Sequence, residues 1–269
     1  MKQNNVIIPR ISIIMGVYNC EKTIGVALDS LLSQTYKNFK IIICDDGSSD
    51  LTYTILKDYA SIYSNIELLK NDINQGLNYT LNKCLEKVDT EYIARMDGDD
   101  ISLPNRFQEQ IKFLDENPKY AIVSSPMIYF DDEGDFKIGN NAISVPTKLD
   151  FIYGSPFCHA PSMIRTKAII DVKGYSVGKY LLRVEDYHLW FKMYSKGYIG
   201  YNLTLPLYKM RDDKNAIKRR TFSNRINEAY VRHIGFKMLK LPFYYQIYTL
   251  RPLIVGLMPK WLYTYLHKK

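Results

Sequence analysis

The sequence has few cysteines, no leader-like start and no internal repeat. Its 4 cysteines in 269 residues are widely spaced and form no C-x-x-C pair, which argues against structural zinc and a disulfide scaffold and fits a reducing compartment. Residues 1–9 lack a basic flank followed by a long apolar stretch, so we expect no signal peptide. With 46% hydrophobic and 24% charged residues, the composition is that of an ordinary globular protein.

Positive charge is concentrated towards the C-terminal end. Residues 201–269 contain 14 Lys and Arg against 3 Asp and Glu, whereas residues 1–200 contain 22 against 25. A near-neutral body is not typical of a nucleic-acid-binding domain, so we expect no nucleic-acid partner. The basic end instead suggests contact with an anionic surface.

Apolar runs rich in β-branched residues alternate with helical patterns over the first hundred residues. A run without polar alternation is typical of a parallel strand covered on both faces. We expect strands at 10–17, 40–44, 66–69 and 92–97 and helices at 24–32, 51–62 and 77–87, an order that predicts a parallel sheet with right-handed crossovers. Further along we expect a helix at 104–116, a single strand at 121–130, a hairpin-like region at 131–139 and a helix with Glu185 and Asp186 at its start.

Two acidic clusters follow predicted strands. Asp45 and Asp46 come directly after one strand, and Asp97 and Asp99 flank Gly98 after another. Because open α/β sheets bind ligands at the carboxyl ends of their strands, we expect both clusters on one edge of the sheet. Two carboxylates around a glycine could converge on one Mg²⁺ or Mn²⁺, with phosphate and water completing its coordination. Taken alone, the second cluster also fits an acidic turn near a helix N-terminus.

Six segments carry a more specific signal: S-I-I-M-G-V-Y-N (12–19), L-D-S-L-L-S-Q-T-Y (28–36), I-I-I-C-D-D-G-S-S-D (41–50), N-Q-G-L-N (74–78), Y-I-A-R-M-D-G-D-D (92–100) and V-E-D-Y-H-L-W (184–190). In this order and spacing, over about residues 10–210, the chain resembles the family-2 inverting glycosyltransferases of bacterial surface-polysaccharide synthesis, which transfer sugars from nucleotide donors. The resemblance implies an α/β fold of the GT-A type, with a mostly parallel central sheet flanked by helices. The catalytic domain would span 1–212, with a nucleotide-sugar half at about 1–100 and an acceptor half at about 101–212, followed by a basic and aromatic helical extension at 213–269.

The resemblance implies a nucleotide pocket at the end of the first strand. Gly16, Val17 and Tyr18 would line this pocket. Asp46 would accept a hydrogen bond from the uracil N–H, with Asp45 as the close alternative. The implied donor is therefore a UDP-sugar.

The resemblance also implies a metal site and a base. Asp97 and Asp99 match the D-x-D motif of the family, with Asp99 as the direct Mn²⁺ or Mg²⁺ ligand and Asp97 as a ribose or metal contact. Asp186 matches the catalytic base of the E-D motif, although it could instead cap a helix and leave Glu185 to face the site. A positioned base that takes the acceptor proton contributes roughly 10²–10⁴ in rate, and a single in-line displacement inverts the anomeric carbon.

Three more side chains are site candidates with alternatives left open. Arg95 needs a carboxylate partner if it is buried, and it would either hold Asp97 or Asp45 in place or approach the diphosphate. His159 would lie near the donor phosphates or sugar, or it would be structural. Arg211 lies where many relatives carry a cationic segment that closes over the diphosphate.

Residues 241–266 are strongly aromatic and aliphatic, but Arg251 and Pro252 interrupt them. A membrane-spanning helix needs about 20 predominantly apolar residues, so we expect an interfacial helix and peripheral contact of residues 213–269 with an anionic membrane. A helical bundle packed on the catalytic domain is the alternative. The protein would be cytoplasmic and peripheral at the inner face of the cell membrane.

These features predict an inverting, metal-dependent glycosyltransferase that moves a hexosyl or N-acetylhexosaminyl group from a UDP-sugar to a hydroxyl of a glycan or lipid-linked acceptor. The Q-x-x-R-W motif of processive synthases is absent, which favours transfer of single sugars. One alternative is a sugar-nucleotide pyrophosphorylase, although residues 16–19 lack the glycine-rich, basic loop that such an enzyme needs for a triphosphate. The other is a non-catalytic module that binds a nucleotide sugar or docks on a membrane.

Overall fold

The computed structural model describes residues 8–139, 143–212 and 221–258. The strands are β1 Ile11–Val17, β2 Phe39–Asp45, β3 Ile66–Lys70, β4 Tyr92–Arg95, β5 Ile101–Ser102, β6 Tyr120–Ser124, β7 Met127–Asp131, β8 Gly134–Ile138, β9 Met163–Arg165, β10 Ile199–Asn202 and β11 Tyr208–Arg211. The α-helices are α1 Ile24–Leu32, α2 Thr52–Ile62, α3 Leu77–Leu85, α4 Arg106–Glu116, α5 Thr166–Asp171, α6 Glu185–Ser195, α7 Phe222–Met238 and α8 Arg251–Leu257. Short 3₁₀ helices lie at Asp150–Ile152, Lys179–Leu181 and Phe243–Leu250.

A seven-stranded sheet forms the centre of the fold, in the order β10-β6-β9-β4-β1-β2-β3. Strand β9 is antiparallel to both of its neighbours, and the other neighbouring pairs are parallel. Alternate side chains of β1 enter two different cores: Ile14 packs with residues of α3, α5, α6 and α7, and Ile13 with residues of α1, α2 and α4. The predicted mostly parallel sheet with helices on its faces is therefore confirmed.

The topology of the sheet brings the two acidic clusters together. Strands β2 and β4 lie on either side of β1 and run parallel to it, with Val17 opposite Asp45 and Ile14 opposite Arg95. The carboxyl ends of all three strands therefore lie at one edge of the sheet. The turn that begins at Asp97 emerges at this edge, with the end of β1 between it and the end of β2.

The prediction of a single strand at 121–130 is wrong. The segment divides at Ser125 and Pro126 into β6, which joins the central sheet, and β7, which joins a second sheet in the order β5-β11-β7-β8. Pro126 has no N–H to donate to a strand ladder, so it marks the change of sheet. The hairpin-like region expected after it is present as the antiparallel pair of β7 and β8.

The C-terminal helix α7 packs on α6. Val231 and Phe236 are fully buried in the core shared with α6, and a Cβ on Gly235 would come within 2.4 Å of the Phe191 ring. Predictions for residues 213–220 and 259–269 lie outside the described residues, and the domain boundary at 212 stays a prediction. Across the part of the chain that the structure describes, no helix combines the length and apolar content needed to cross a membrane.

Candidate active site

Two cavities meet at the turn after β4. One has a volume of about 790 Å³ and the other about 480 Å³, and both are lined by Asp97, Asp99 and Arg211. The smaller cavity contains the predicted nucleotide contacts Gly16, Val17 and Tyr18, and the larger contains Arg95, His159, Glu185 and Asp186. The two cavities thus share one acidic turn, whereas Arg95 and His159, predicted on the donor side, line the larger cavity and the predicted Asp46 lines neither.

Close backbone packing forms the floor of the smaller cavity. A Cβ on Gly98 would lie 2.9 Å from the Cys20 sulfur and 3.1 Å from Val17 Cγ1. The Thr23 hydroxyl donates to the Gly98 carbonyl at 2.9 Å. Only a residue without a side chain allows the acidic turn to lie this close to the end of β1, and this packing fixes Asp99 beside the predicted nucleotide pocket.

The two carboxylates at the end of β2 have different roles in the fold. Asp46 accepts hydrogen bonds from the Asn71 amide at 2.8 Å and from the backbone N–H groups of Gln75 and Gly76 at 2.9 Å each. Its oxygens therefore hold the 71–76 loop. Asp45 is fully buried; one of its oxygens accepts from the Ser48 N–H at 3.2 Å, and the other has no hydrogen-bond partner among the described residues.

Arg95 and Asp97 form a two-pronged ion pair between the cavities. The two terminal nitrogens of Arg95 donate to the two carboxylate oxygens of Asp97 at 2.7 and 2.6 Å. Arg95 is only 6% exposed. Burial alone would lower its pKa, but the charge of Asp97 outweighs burial and raises the pKa of Arg95 above its ordinary value. Arg95 is therefore bonded to Asp97 in this structure, and its approach to the diphosphate stays a prediction.

The acidic turn offers oxygen ligands that suit a divalent cation. Asp99 lines both cavities, and Asp97 lines both while pairing with Arg95. The described residues contain no cluster of three or more His, Cys, Asp or Glu side chains that could hold a metal by themselves. Mg²⁺ and Mn²⁺ commonly bind through one or two carboxylates together with substrate phosphates, and the acidic turn offers carboxylates of that kind.

Strand β11 is tied to the acidic turn by contacts that the sequence did not predict. The Asp97 N–H donates to the Tyr208 hydroxyl at 3.2 Å, and the Arg211 N–H donates to Asp100 at 2.8 Å. Burial, followed by the charges of Asp97 and Asp99, raises the pKa of Asp100 well above its ordinary value. These bonds place Arg211 where the cavities meet, with its guanidinium paired to Asp132 at 2.7 Å.

A buried arginine, Arg106, is bonded to the backbone of two segments of the site. It is fully buried and donates to the carbonyls of Arg95 at 2.8 Å and Ala160 at 3.0 Å. It thereby joins the end of β4 to the loop that carries His159. Burial lowers the pKa of Arg106 to about 10. Its position at the start of an amphipathic helix gave no signal that it would be internal.

Glu185 and Asp186 stand at the start of α6 in the larger cavity. The Ser155 hydroxyl lies 3.3 Å from Asp186 Oδ2 and donates to it. Burial raises the pKa of Asp186, and hydrogen bonding from the Tyr187 N–H and the charge of Arg95 oppose this rise. Burial also raises the pKa of Glu185, and the neighbouring Asp186 charge adds to it. A carboxylate with a raised pKa is a better proton acceptor, which suits a general base.

His159 lines the larger cavity and is held by its neighbours. Its Nε2 atom is hydrogen-bonded to the Tyr175 hydroxyl over 2.8 Å, and its ring packs edge-on against Trp190. Burial, with the nearby Arg95 charge, lowers the pKa of His159 well below its ordinary value. The imidazole is therefore neutral, so it offers shape and hydrogen bonding to this cavity but no charge.

Comparison with known proteins agrees with this geometry. The model of glycosyl transferase family 2 matches residues 12–176, more than half of the chain. The chain belongs to glycosyl transferase family 2. It is 42% identical to the putative glycosyltransferase EpsE of Bacillus subtilis over 97% of this chain and 94% of EpsE. It is 31% identical to WfaP of Escherichia coli, a UDP-Glc:alpha-D-GlcNAc-diphosphoundecaprenol beta-1,3-glucosyltransferase, over 84% of this chain and 87% of WfaP.

Solved structures agree on the fold of this family member. A crystal structure of S. aureus TarS in complex with UDP-GlcNAc superposes with a TM-score of 0.71 at 18% identity, covering 97% of this chain and 76% of that one. The GT-A fold and the assignment as a glycosyltransferase are thus confirmed. Family membership speaks against the pyrophosphorylase alternative.

Proposed function

We propose that the protein transfers a sugar from a UDP-sugar to a hydroxyl of a lipid-linked diphosphate glycan, with inversion at the anomeric carbon, during assembly of a surface polysaccharide. The observation that carries this proposal is the division of the site: the acidic pair Asp97 and Asp99 lies between a nucleotide-side cavity and a cavity that holds Asp186. The donor and acceptor classes are those named for WfaP.

In the smaller cavity, the end of β1 would receive the nucleoside. Gly16, Val17 and Tyr18 line this cavity. Asp46 would accept a hydrogen bond from the uracil N–H, with Asp45 as the close alternative. Both carboxylates are buried and line neither cavity, and one Asp45 oxygen has no hydrogen-bond partner among the described residues.

In the larger cavity, Asp186 would act as the general base. Its carboxylate takes the proton of the acceptor hydroxyl as the oxygen bonds to the anomeric carbon. The bond from that carbon to the UDP oxygen breaks, and its electron pair leaves with UDP. Ser155 orients the carboxylate. Because a single base serves a single displacement, the configuration at the anomeric carbon inverts.

The leaving diphosphate would lie at the junction of the cavities. A divalent cation held by Asp99, with Asp97 beside it, would offset the charge that the diphosphate gains as the bond breaks. Arg211 lines the same junction and would pair with the phosphates. Arg95 keeps Asp97 in place.

The C-terminal segment would contact the membrane that contains the acceptor lipid. Its exposed apolar side chains include Phe243 at 86%, Ile247 at 68% and Leu257 at 75%. After Glu228 the sequence has no Asp or Glu and 7 Lys and Arg. Apolar side chains flanked by cations are typical of a segment that lies in the interface of an anionic membrane.

Activity is tested with purified protein, Mn²⁺, a panel of UDP-sugars and a GlcNAc-diphosphate lipid. We expect transfer of one sugar from one UDP-sugar, with the anomeric configuration of the product opposite to that of the donor by NMR. Retention of configuration would contradict the single displacement. Absence of transfer with every donor would contradict the proposed function.

Membrane contact is tested separately by sedimentation with phosphatidylglycerol vesicles. Phe243→Asp and Ile247→Asp together should release the protein from the pellet. Ile62→Asp, at the end of α2 and 72% exposed, is the matched control and should leave sedimentation unchanged. Equal pelleting of all variants would place the contact elsewhere.

A further inference from the structure

The larger cavity is lined by two arginines, Arg183 and Arg225, that the transfer reaction leaves unexplained. Arg183 lines this cavity, three residues before Asp186. Its φ of +65° is in the left-handed region, which is strained for a residue with a long side chain. Its side chain makes no hydrogen bond or ion pair with the described residues. Strained backbone of this kind persists where the surrounding structure fixes it, and it is frequent at binding sites.

A second cation of this cavity comes from α7. Arg225 lines the cavity beside Asn224 and Glu228. Glu228 is shared, since it pairs with Arg225 at 3.1 Å and with the buried Arg232 at 2.9 Å. One carboxylate therefore pairs with two guanidinium groups. Arg225, Glu228 and Arg232 together carry a net positive charge, to which Arg183 adds.

The packing of α7 and α8 brings this arginine pair next to the apolar C-terminal surface. The Asn227 amide donates to the Leu182 carbonyl at 3.0 Å, which fixes the turn carrying Arg225 against the segment that carries Arg183. On the other side of Arg225 lies α8, where a Cβ on Gly256 would be 3.0 Å from Arg225 Cγ. The exposed apolar side chains of α8 therefore begin directly beside Arg225, which lines the cavity.

We infer that Arg183 and Arg225 form the binding site for the diphosphate of a lipid-linked acceptor. Apolar surface, arginine pair and catalytic carboxylate follow one another in the order of lipid, diphosphate and sugar in such a molecule. Guanidinium groups bind phosphate oxygens through paired, charge-assisted hydrogen bonds. The inference rests on the proposed function, because it assigns the acceptor end of the same cavity.

The test measures binding of octyl diphosphate by calorimetry, with UDP and Mn²⁺ saturating the donor side. We expect the wild type to bind under these conditions. Arg183→Gln and Arg225→Gln should each weaken binding roughly 10-fold or more, as loss of a hydrogen bond to a charged group implies. Glu228→Gln should strengthen it, because it removes the carboxylate that pairs with Arg225. Lys167→Gln, an exposed lysine of α5 that lines neither cavity, should change nothing.

A second measurement separates an acceptor role from a general loss of fold. With a GlcNAc-diphosphate lipid as acceptor, Arg183→Gln should raise KM and leave the KM of the UDP-sugar unchanged. With an alkyl glycoside of GlcNAc, which has no diphosphate, the variant and the wild type should behave alike.

Two results would overturn the inference: octyl diphosphate binding that UDP abolishes, or equal weakening with both acceptors. Absence of transfer with any donor would instead contradict the proposed function and leave the octyl diphosphate result standing.

Discussion

Replacing Asp97 by asparagine should destabilise the fold more than replacing Arg95 by methionine. The Arg95 side chain is 7% exposed, whereas the Asp97 side chain is 30% exposed. Asp97→Asn leaves a buried guanidinium without its counter-charge, a change that costs about 3 kcal/mol or more in buried pairs. Arg95→Met leaves a carboxylate that water can reach, and we expect a loss of about 1 kcal/mol.

The double variant completes a thermodynamic cycle. Because the methionine removes the charge that Asp97 balances, the second substitution should add little, and the coupling free energy should have a magnitude of about 3 kcal/mol. The assay is urea unfolding at pH 7 without metal or nucleotide. Asp135→Asn is the control, since its pair with Lys209 at 2.7 Å is more exposed and should contribute less than about 1 kcal/mol. Additive losses of unfolding free energy would refute this reasoning. So would a larger loss for Arg95→Met than for Asp97→Asn, because Arg95 would then not be the more deeply buried charge of the pair.

Two further predictions concern the reaction itself. Asp99→Ala should abolish the Mn²⁺-dependent part of UDP affinity by calorimetry, whereas Asp58→Ala, a substitution of an exposed acid of α2 that lines neither cavity, should not; unchanged affinity in Asp99→Ala would remove it from the metal site. Ser155→Ala removes a hydrogen bond that lowers the pKa of Asp186. Because the base acts when deprotonated, activity is lost as pH falls through that pKa, and the acidic limb of kcat/KM should move to higher pH. A limb that stays in place would show that Ser155 does not act through Asp186.

The strands of the nucleotide half could be predicted because their signals are local. Ile11–Val17 and Phe39–Asp45 are continuous β-branched runs, and burial on both faces requires such runs. If the strands pair in parallel, the acidic clusters at their carboxyl ends must lie on one edge of the sheet. The helix that carries Asp186 likewise has a local signal, with two acids in its first turn.

The second sheet could not be predicted because its pairings are distant in the chain. Strand β11 pairs with β5 and β7, so Tyr208 lies opposite both Ser102 and Met127. Pairing between strands so distant in the chain leaves no periodic pattern in the local sequence that would predict it. The support of the acidic turn by Tyr208 was missed for the same reason.

Buried polar residues were the other failure of prediction. Arg106 lies in a helix with exposed polar neighbours, and only the carbonyls that converge on it explain its burial. In the same way, adjacent Asp45 and Asp46 are indistinguishable in sequence. They differ because three donors of the 71–76 loop bond to the two oxygens of Asp46, whereas one oxygen of Asp45 has no partner among the described residues.

The role of Asp186 as the base that accepts the acceptor proton is tested most directly by comparing Asp186→Asn with Glu185→Gln. Both are isosteric, and both remove one carboxylate charge from the same cavity. We predict that Asp186→Asn binds UDP with wild-type affinity and loses roughly 10²–10⁴ in kcat, while Glu185→Gln retains most of its turnover. Near-normal turnover of Asp186→Asn, or a collapse confined to Glu185→Gln, would contradict the assignment of the base.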